Sequence, residues 1–326
     1  MAKSQSQALW SIILAGGDGE RTRPFIEQWL GYAKPKQYCT FVGNRSMLQH
    51  TLGRADRLGA PHQKVTVVAQ AHQGFASEAL AGQQAGQVIL EPDYCGTGAG
   101  VFLPLTYVRA WDPQATVAIF PSDHFVFPED RFLEMVQRAA RASHIFQDRM
   151  LLLGVRPTHL ELDYGWMNVG GALGWSGGSC VRQVDSFIDQ PAPLDALNAM
   201  AKGALWNTLV IVGKVETIWK LGWQYLPVIM ERFERLGKAI GSTHEGTMLR
   251  QLYQKMPTLN FSRELLQRAS ERLGVLELED VRWSDWERPD RILDSLNVLG
   301  KEPMFPSDIV ATTRSSFSSL SSIEVN

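Results

Sequence analysis

Five short apolar runs, Ser11–Ala15, Lys64–Ala69, Gln87–Leu90, Thr116–Phe120 and Met150–Val155, punctuate the first half of the chain, with amphipathic stretches between them. Continuous runs of this length suit strands buried on both faces. Between Pro128 and Phe146, the residues Phe132, Met135, Val136, Ala139 and Ala140 share one helical face. Pro128, Glu129 and Asp130 suit the first turn of that helix, through a fixed φ and through favourable charge at a helix N-terminus. Strands alternating with helices predict an α/β protein, with a mostly parallel sheet covered by helices on both faces.

The pattern changes after Val155. Gly165, Gly170, Gly171, Gly174, Gly177 and Gly178 break up a stretch that reads as loops and short antiparallel strands. Val181–Ile188 and Trp206–Val212 read as later strands, and Val215–Leu236 as a helical segment interrupted at Pro227. Val275–Leu278 and Val281–Trp283 read as short strands, and Arg288–Leu299 as a closing helix. The Ser/Thr-rich end, ATTRSSFSSLSSIEVN, has sparse apolar residues and predicts a disordered tail.

Charge narrows the function classes. With 32 basic and 34 acidic residues the net charge is −2, which gives no reason to expect a nucleic-acid partner or a membrane surface. Local basic clusters therefore read as sites. Cys39, Cys95 and Cys180 lie far apart without a CxxC, which argues against a disulfide framework or structural zinc. The start, MAKSQSQALW, lacks the apolar core of a signal peptide, and no run is long enough to span a bilayer. These features predict a cytoplasmic setting.

The glycines Gly16, Gly17 and Gly19 follow the first strand, at the strand end where open parallel sheets bind ligands. Glycines there let backbone N–H groups approach phosphate oxygens. No Walker A sequence occurs, and a dinucleotide fingerprint is poor, because Thr22 stands where its third glycine would be. Alone, the turn reads equally well as a plain turn. Arg21, Arg23, Lys34 and Lys36 tilt the reading, since cations concentrated beside a glycine turn suit a polyphosphate.

The stretch LAGGDGERTRP, followed by KPKQY, resembles the signature of sugar-1-phosphate nucleotidylyltransferases. The resemblance continues in order through EPDYCGTGAG, FPSDHFV, PTHLELDYGW, VDSFIDQPA, LWNTLVIVG and WSDWERPDRI, over roughly residues 10–300. The PSDH and PKQ forms are most similar to mannose-1-phosphate guanylyltransferases. The resemblance implies a three-layer, Rossmann-like (glycosyltransferase-A-like) fold with a small C-terminal portion, a candidate for homo-oligomer contacts. It divides the chain into an extension, 1–9, a catalytic domain, 10–300, and a tail, 301–326. Within the domain, about 10–155 would bind nucleotide and 156–300 the sugar. The implied substrates are GTP and a sugar-1-phosphate, with Mg²⁺ as cofactor.

Such a reaction is attack by a sugar-1-phosphate oxygen on the α-phosphorus of a nucleoside triphosphate, with pyrophosphate leaving. The nucleophile is already an anion, so catalysis reduces to in-line positioning and charge neutralisation. By motif position Arg21 clamps the triphosphate, Lys36 meets the α-phosphate, and Lys34 is an accessory. Ala15, Gly16, Gly17 and Gly19 form the phosphate turn, and Thr97 and Gly98 belong to the nucleotide-contacting segment. Asp123 and Asp285 are the implied Mg²⁺ ligands; without the motif each reads as a turn or N-cap aspartate. His124 reads equally as a core histidine or a direct participant. Glu91 is the candidate base reader, because guanine presents two adjacent donors that one carboxylate accepts together.

On the sugar side the resemblance implies Tyr164 and Gly165, with Glu161 in the same element, together with Asp189, Gln190 and Asn207. Trp166 and Trp206 read as core or pocket wall. Three departures stand out. Gln190 is neutral where the family carries a lysine, Cys95 begins a segment that elsewhere holds an arginine, and Thr208-Leu209 replaces a Ser-Gly. These changes keep two alternatives in view: a transferase for another sugar-1-phosphate such as glucose-1-phosphate, or a weakly catalytic nucleotide-sugar binder.

Overall fold

Each of the five apolar runs is a strand in the computed structural model, which describes residues 9–306 and 309–310. They are β1 (Leu9–Ala15), β2 (Lys64–Ala69), β3 (Gln87–Glu91), β4 (Thr116–Pro121) and, after a short β5 (Phe125–Phe127), β6 (Met150–Val155). Helices α1 (Arg23–Leu30), α2 (Met47–Asp56), α3 (Gln73–Leu80), α4 (Gly96–Trp111) and α5 (Glu129–Ala142) occupy the connections. The second half adds β7 (Gly165–Ser176), β8 (Ser179–Asp189), α6 (Pro193–Ala201), β9 (Leu205–Lys214), α7 (Val215–Tyr225), α8 (Pro227–Ala239) and α9 (Glu245–Tyr253). A π-helical turn, Ser262–Leu266, leads to β10 (Leu273–Glu277), β11 (Arg282–Ser284) and α10 (Pro289–Val298).

Nine strands form one sheet in the order β3-β2-β1-β4-β9-β6-β10-β8-β7. All but β8 and β9 point the same way, so the sheet is mostly parallel in direction. At the far end β7 curls back, and Trp166 and Met167 pair with Trp206 and Leu205 of β9. Successive strand residues face opposite layers. Ile12, Val117 and Ile119 pack under α4, α7, α8 and α9, whereas Ile13 and Ala15 meet α2 and α3, and Ala118 and Phe120 meet α5. The helices thus cover both faces, as the alternating pattern requires.

Two readings need correction. The glycine-rich stretch after Val155 does hold antiparallel strands, but they are not short: β7 and β8, 12 and 11 residues long, make a long hairpin with three register shifts. At Gly170 and Gly174 neighbours fill the space a side chain would need. A Cβ on Gly170 would lie 2.0 Å from the Asp185 carboxylate, and one on Gly174 3.0 Å from the Phe146 ring. The packed region also runs past Gly300. The Met304 N–H donates to the Phe41 carbonyl, and buried Phe305 packs against Phe25, Trp29 and Phe41. The Ser/Thr-rich end from Ala311 onward, and the extension before Leu9, lie outside the described residues. Among the described residues no helix is long and apolar enough to cross a membrane.

Candidate active site

The strands β1, β2, β3 and β4 end together, and the loops at that edge enclose a cavity of about 220 Å³. Its lining includes Gly16, Gly17, Glu91, Thr97, Asp123 and Glu287. A larger cleft of about 700 Å³, around His144, Lys220 and Arg272, contains none of these groups.

The glycine turn is shaped by what it faces. A Cβ on Gly16 would lie 2.6 Å from Glu91 Oε2, and Gly19, at φ +61°, leaves room for the backbone of Lys36. Gln37 fastens the turn by donating to the carbonyls of Ala15 (3.1 Å) and Gly17 (2.8 Å). That role for the glutamine of PKQ was not read from the sequence. Arg21 is half-exposed and reaches Asp163 at 3.5 Å.

Glu91 closes β3 and is 2% exposed. Burial pushes its carboxyl pKa up to about 7, against a smaller lowering by the Tyr253 hydroxyl, which donates to Oε1 at 3.0 Å. Tyr253 ends α9, far along the chain, and only the fold brings it here. The segment after α9 also braces the first turn of α4. Leu259 N–H donates to the Cys95 carbonyl (3.2 Å), Gly98 N–H to the Leu259 carbonyl (2.9 Å), and Phe261 N–H to Thr97 Oγ1 (2.8 Å).

Lys36 is fully buried, and its ammonium donates to the Asp285 carbonyl (2.6 Å) and Glu287 Oε1 (2.9 Å), with Asp123 Oδ2 at 3.0 Å. Burial alone would lower its pKa; Asp123, Glu287 and Asp285 outweigh burial and raise it. The lysine is therefore a permanent cation. The ribbon of β5 against β11, which sets Phe125 opposite Ser284, brings the Asp123 and Asp285 loops side by side. His124 lines the same cavity beside Asp123. Trp283 Nε1–H donates to its Nδ1 at 3.2 Å, and burial lowers its pKa.

Asp285 does not offer a free carboxylate. Arg291 Nη1 lies 2.7 Å and 2.9 Å from its two oxygens, and the Tyr164 hydroxyl (3.1 Å) and Glu287 N–H (3.1 Å) also donate to Oδ1. Burial would raise its pKa, but Arg291 and then Lys36 hold it low. Arg291 also meets Glu161 at 2.6 Å and lies over the Tyr164 ring at 4.5 Å. A Mg²⁺ ion needs carboxylate lone pairs facing an open, hydrated position. With three donors on Asp285 and only Asp123 of the two lining the cavity, this pair does not fit such an ion as placed. Glu287 and Arg291 both fall in the WSDWERPDRI stretch, but the sequence assigns neither a role.

The sugar-side residues gather at one end of β7, β8 and β9. Gly165 sits opposite Asp189 in register, and a Cβ on it would lie 2.7 Å from Phe187 and 3.4 Å from Asn207. Asn207 uses Oδ1 to accept from Leu209 N–H at 3.1 Å. Gln190 follows β8 in the left-handed region, at φ +49°. Tyr164 turns its side chain away from this group, toward Asp285 and the rings of Trp206 and Trp283. Trp166 is fully buried and donates to the Glu161 carbonyl, and Trp206 is buried as well.

Known proteins resemble this chain in sequence and in fold. A family model described as nucleotidyl transferase matches residues 10–244. The xanthan biosynthesis protein XanB of Xanthomonas campestris is 29% identical over 200 residues, covering 60% of this chain and 40% of that protein. A mannose-1-phosphate guanylyltransferase of Escherichia coli is 23% identical over 286 residues, covering 86% of this chain and 60% of its own length. The chain thus spans about half the length of these relatives. A crystal structure from Thermus thermophilus, described as a mannose-1-phosphate geranyltransferase, superposes with a TM-score of 0.73 at 23% identity. That match covers 88% of this chain and 79% of the other, and it shows a shared fold. With the family match spanning most of its length, the chain belongs to the nucleotidyl transferase family.

Proposed function

We propose that the chain transfers a guanylyl group from GTP, as its Mg²⁺ complex, to mannose-1-phosphate, giving GDP-mannose and pyrophosphate. One observation carries this reading: Glu91, buried at the cavity wall beside Gly16, has a single side-chain donor, Tyr253, among the described residues. A buried carboxylate with unused lone pairs is costly unless donors arrive. Guanine brings two adjacent donors, whereas uracil or thymine brings one flanked by carbonyls.

The rest of the site supplies position and charge. Gly16, Gly17 and Gly19 give the triphosphate close backbone approach, Arg21 is exposed enough to clamp it, and Lys36 neutralises the α-phosphate by exchanging one carboxylate partner. Asp189, Gln190, Asn207 and the Gly165 backbone form the sugar side. No step is assigned to an ion held by Asp123 and Asp285. The second reading, a different sugar-1-phosphate, is favoured by Gln190, which leaves that end without the family's lysine.

The test is pyrophosphate release by the purified chain with the four NTPs and dTTP against several sugar-1-phosphates. GTP with mannose-1-phosphate as the best pair is the expected result, and Glu91→Gln should erode the preference for GTP over UTP or dTTP. Turnover with another sugar establishes the second reading. No turnover with any pair sinks both.

A further inference from the structure

A sugar-1-phosphate carries a dianionic phosphate, yet the sugar-side candidates Tyr164, Gly165, Asp189, Gln190 and Asn207 include no cation. The cations nearby are engaged. Lys36 is shared by Asp123 and Glu287, Arg291 is locked between Asp285 and Glu161, and Arg21 leans on Asp163. Arg263 differs. It lies on the π-helical turn with more than half its side chain exposed, and its Nη2 is 3.8 Å from Asp189 Oδ2. That separation is a loose ion pair and not a hydrogen bond.

We propose that Arg263 is the group that binds the phosphate of the sugar-1-phosphate, supplying from the C-terminal segment the cation that Gln190 does not. The inference rests on the nucleotidyl-transfer reading above. Asp189 is the first support. Its side chain is nine-tenths buried, yet Oδ2 has no hydrogen-bond partner, which is the condition of a group waiting for a donor such as a sugar hydroxyl. A carboxylate that accepts from the sugar frees Arg263 to turn its planar fork to the phosphate. Burial raises the Asp189 pKa, while Arg263 and then Arg21 lower it.

The second support is how Arg263 is seated. Its N–H donates to Asn260 Oδ1 at 3.0 Å, and the neighbouring Leu259 and Phe261 are hydrogen-bonded to Cys95, Thr97 and Gly98. One short segment therefore touches the nucleotide side through Thr97 and the sugar side through Arg263. That connection ties Arg263 to the same short segment that braces Thr97.

The test compares wild type, Arg263→Gln and Arg263→Lys in steady-state kinetics with GTP and mannose-1-phosphate. Arg263→Gln should raise KM for the sugar-1-phosphate by about tenfold or more, with KM for GTP within about twofold. Arg263→Lys should fall between, and Gln190→Lys added to Arg263→Gln should recover much of the loss. An unchanged sugar-1-phosphate KM, or an equal rise in both KM values, overturns the proposal. A wild type that turns over no pair removes the transfer reading instead. Arg263 is then judged by calorimetry, as mannose-1-phosphate against mannose. A phosphate-dependent gain in affinity that disappears in Arg263→Gln sustains the proposal, and no such gain ends it.

Discussion

Glu91 shows how a single residue ties stability to ligand choice. Its carboxyl is held up near pH 7 by burial, whereas an unfolded glutamate titrates near 4.5. Between those values the folded protein keeps a proton that the unfolded chain releases, so stability falls as pH rises through this window. The loss approaches about 3 kcal/mol above pH 7. Without ligand, Glu91→Gln should therefore unfold at a higher denaturant concentration than wild type at pH 8, with the gap closing toward pH 4.5. A gap that is constant with pH would contradict the assignment. Lys36 has the opposite character. Lys36→Met leaves Asp123 and Glu287 facing each other without a cation, which should cost about 3–5 kcal/mol in chemical denaturation. The same change should cut pyrophosphate release by at least about a hundredfold. Both residues were legible in the sequence because each sits in a local motif. Tyr253 and Arg263 lie outside every motif, and Glu287 and Arg291 sit inside WSDWERPDRI without a readable role: Tyr253 meets Glu91 across 162 positions, and Lys36 meets Glu287 across 251. No local pattern encodes such a meeting.

Elements divided along a similar line. Apolar runs buried on both faces announced β2 and β6 with the boundaries observed, and β1, β3 and β4 within two residues. Val181–Ile188 announced β8, but the length of β7 was hidden, because Gly170, Gly174 and Gly177 answer to side chains arriving from β8, the loop after α5 and α5. Helix α4 was hidden as well, since it opens on Gly96, Gly98 and Gly100, all poor helix formers. Its first turn is set by the strap at Leu259. Gly96 has φ +80°, and a Cβ there would lie 2.5 Å from the Leu259 carbonyl oxygen. Gly96→Ala should therefore cost on the order of 2–4 kcal/mol and free the strap. Hydrogen exchange at Gly98, Leu259 and Phe261 should quicken while the sheet stays protected. Gly100→Ala, with open space around it on the same helix, should be neutral or slightly stabilising.

For the molecule as a whole, the sheet does not end where the family match does. That match stops at residue 244, yet β10 lies between β6 and β8, and Tyr253, Arg263, Asp285 and Arg291 all follow. A fragment of residues 9–244 would expose the long edges of β6 and β8 and the apolar face under α9. It should aggregate or unfold without cooperativity in a far-UV circular dichroism melt; a sharp transition near that of the full chain would show that β10 is dispensable. The same insertion sets a timetable during synthesis. At ordinary ribosomal speed the stretch from the end of β9 at Lys214 to the end of β10 at Glu277 takes roughly 3–12 s to make. Throughout that interval the nascent sheet stands with a gap in its middle, and the β7–β8 hairpin hangs by its short seam to β9. The cellular moment of greatest danger for this protein is thus late in translation, when a chaperone that shields strand edges would matter most.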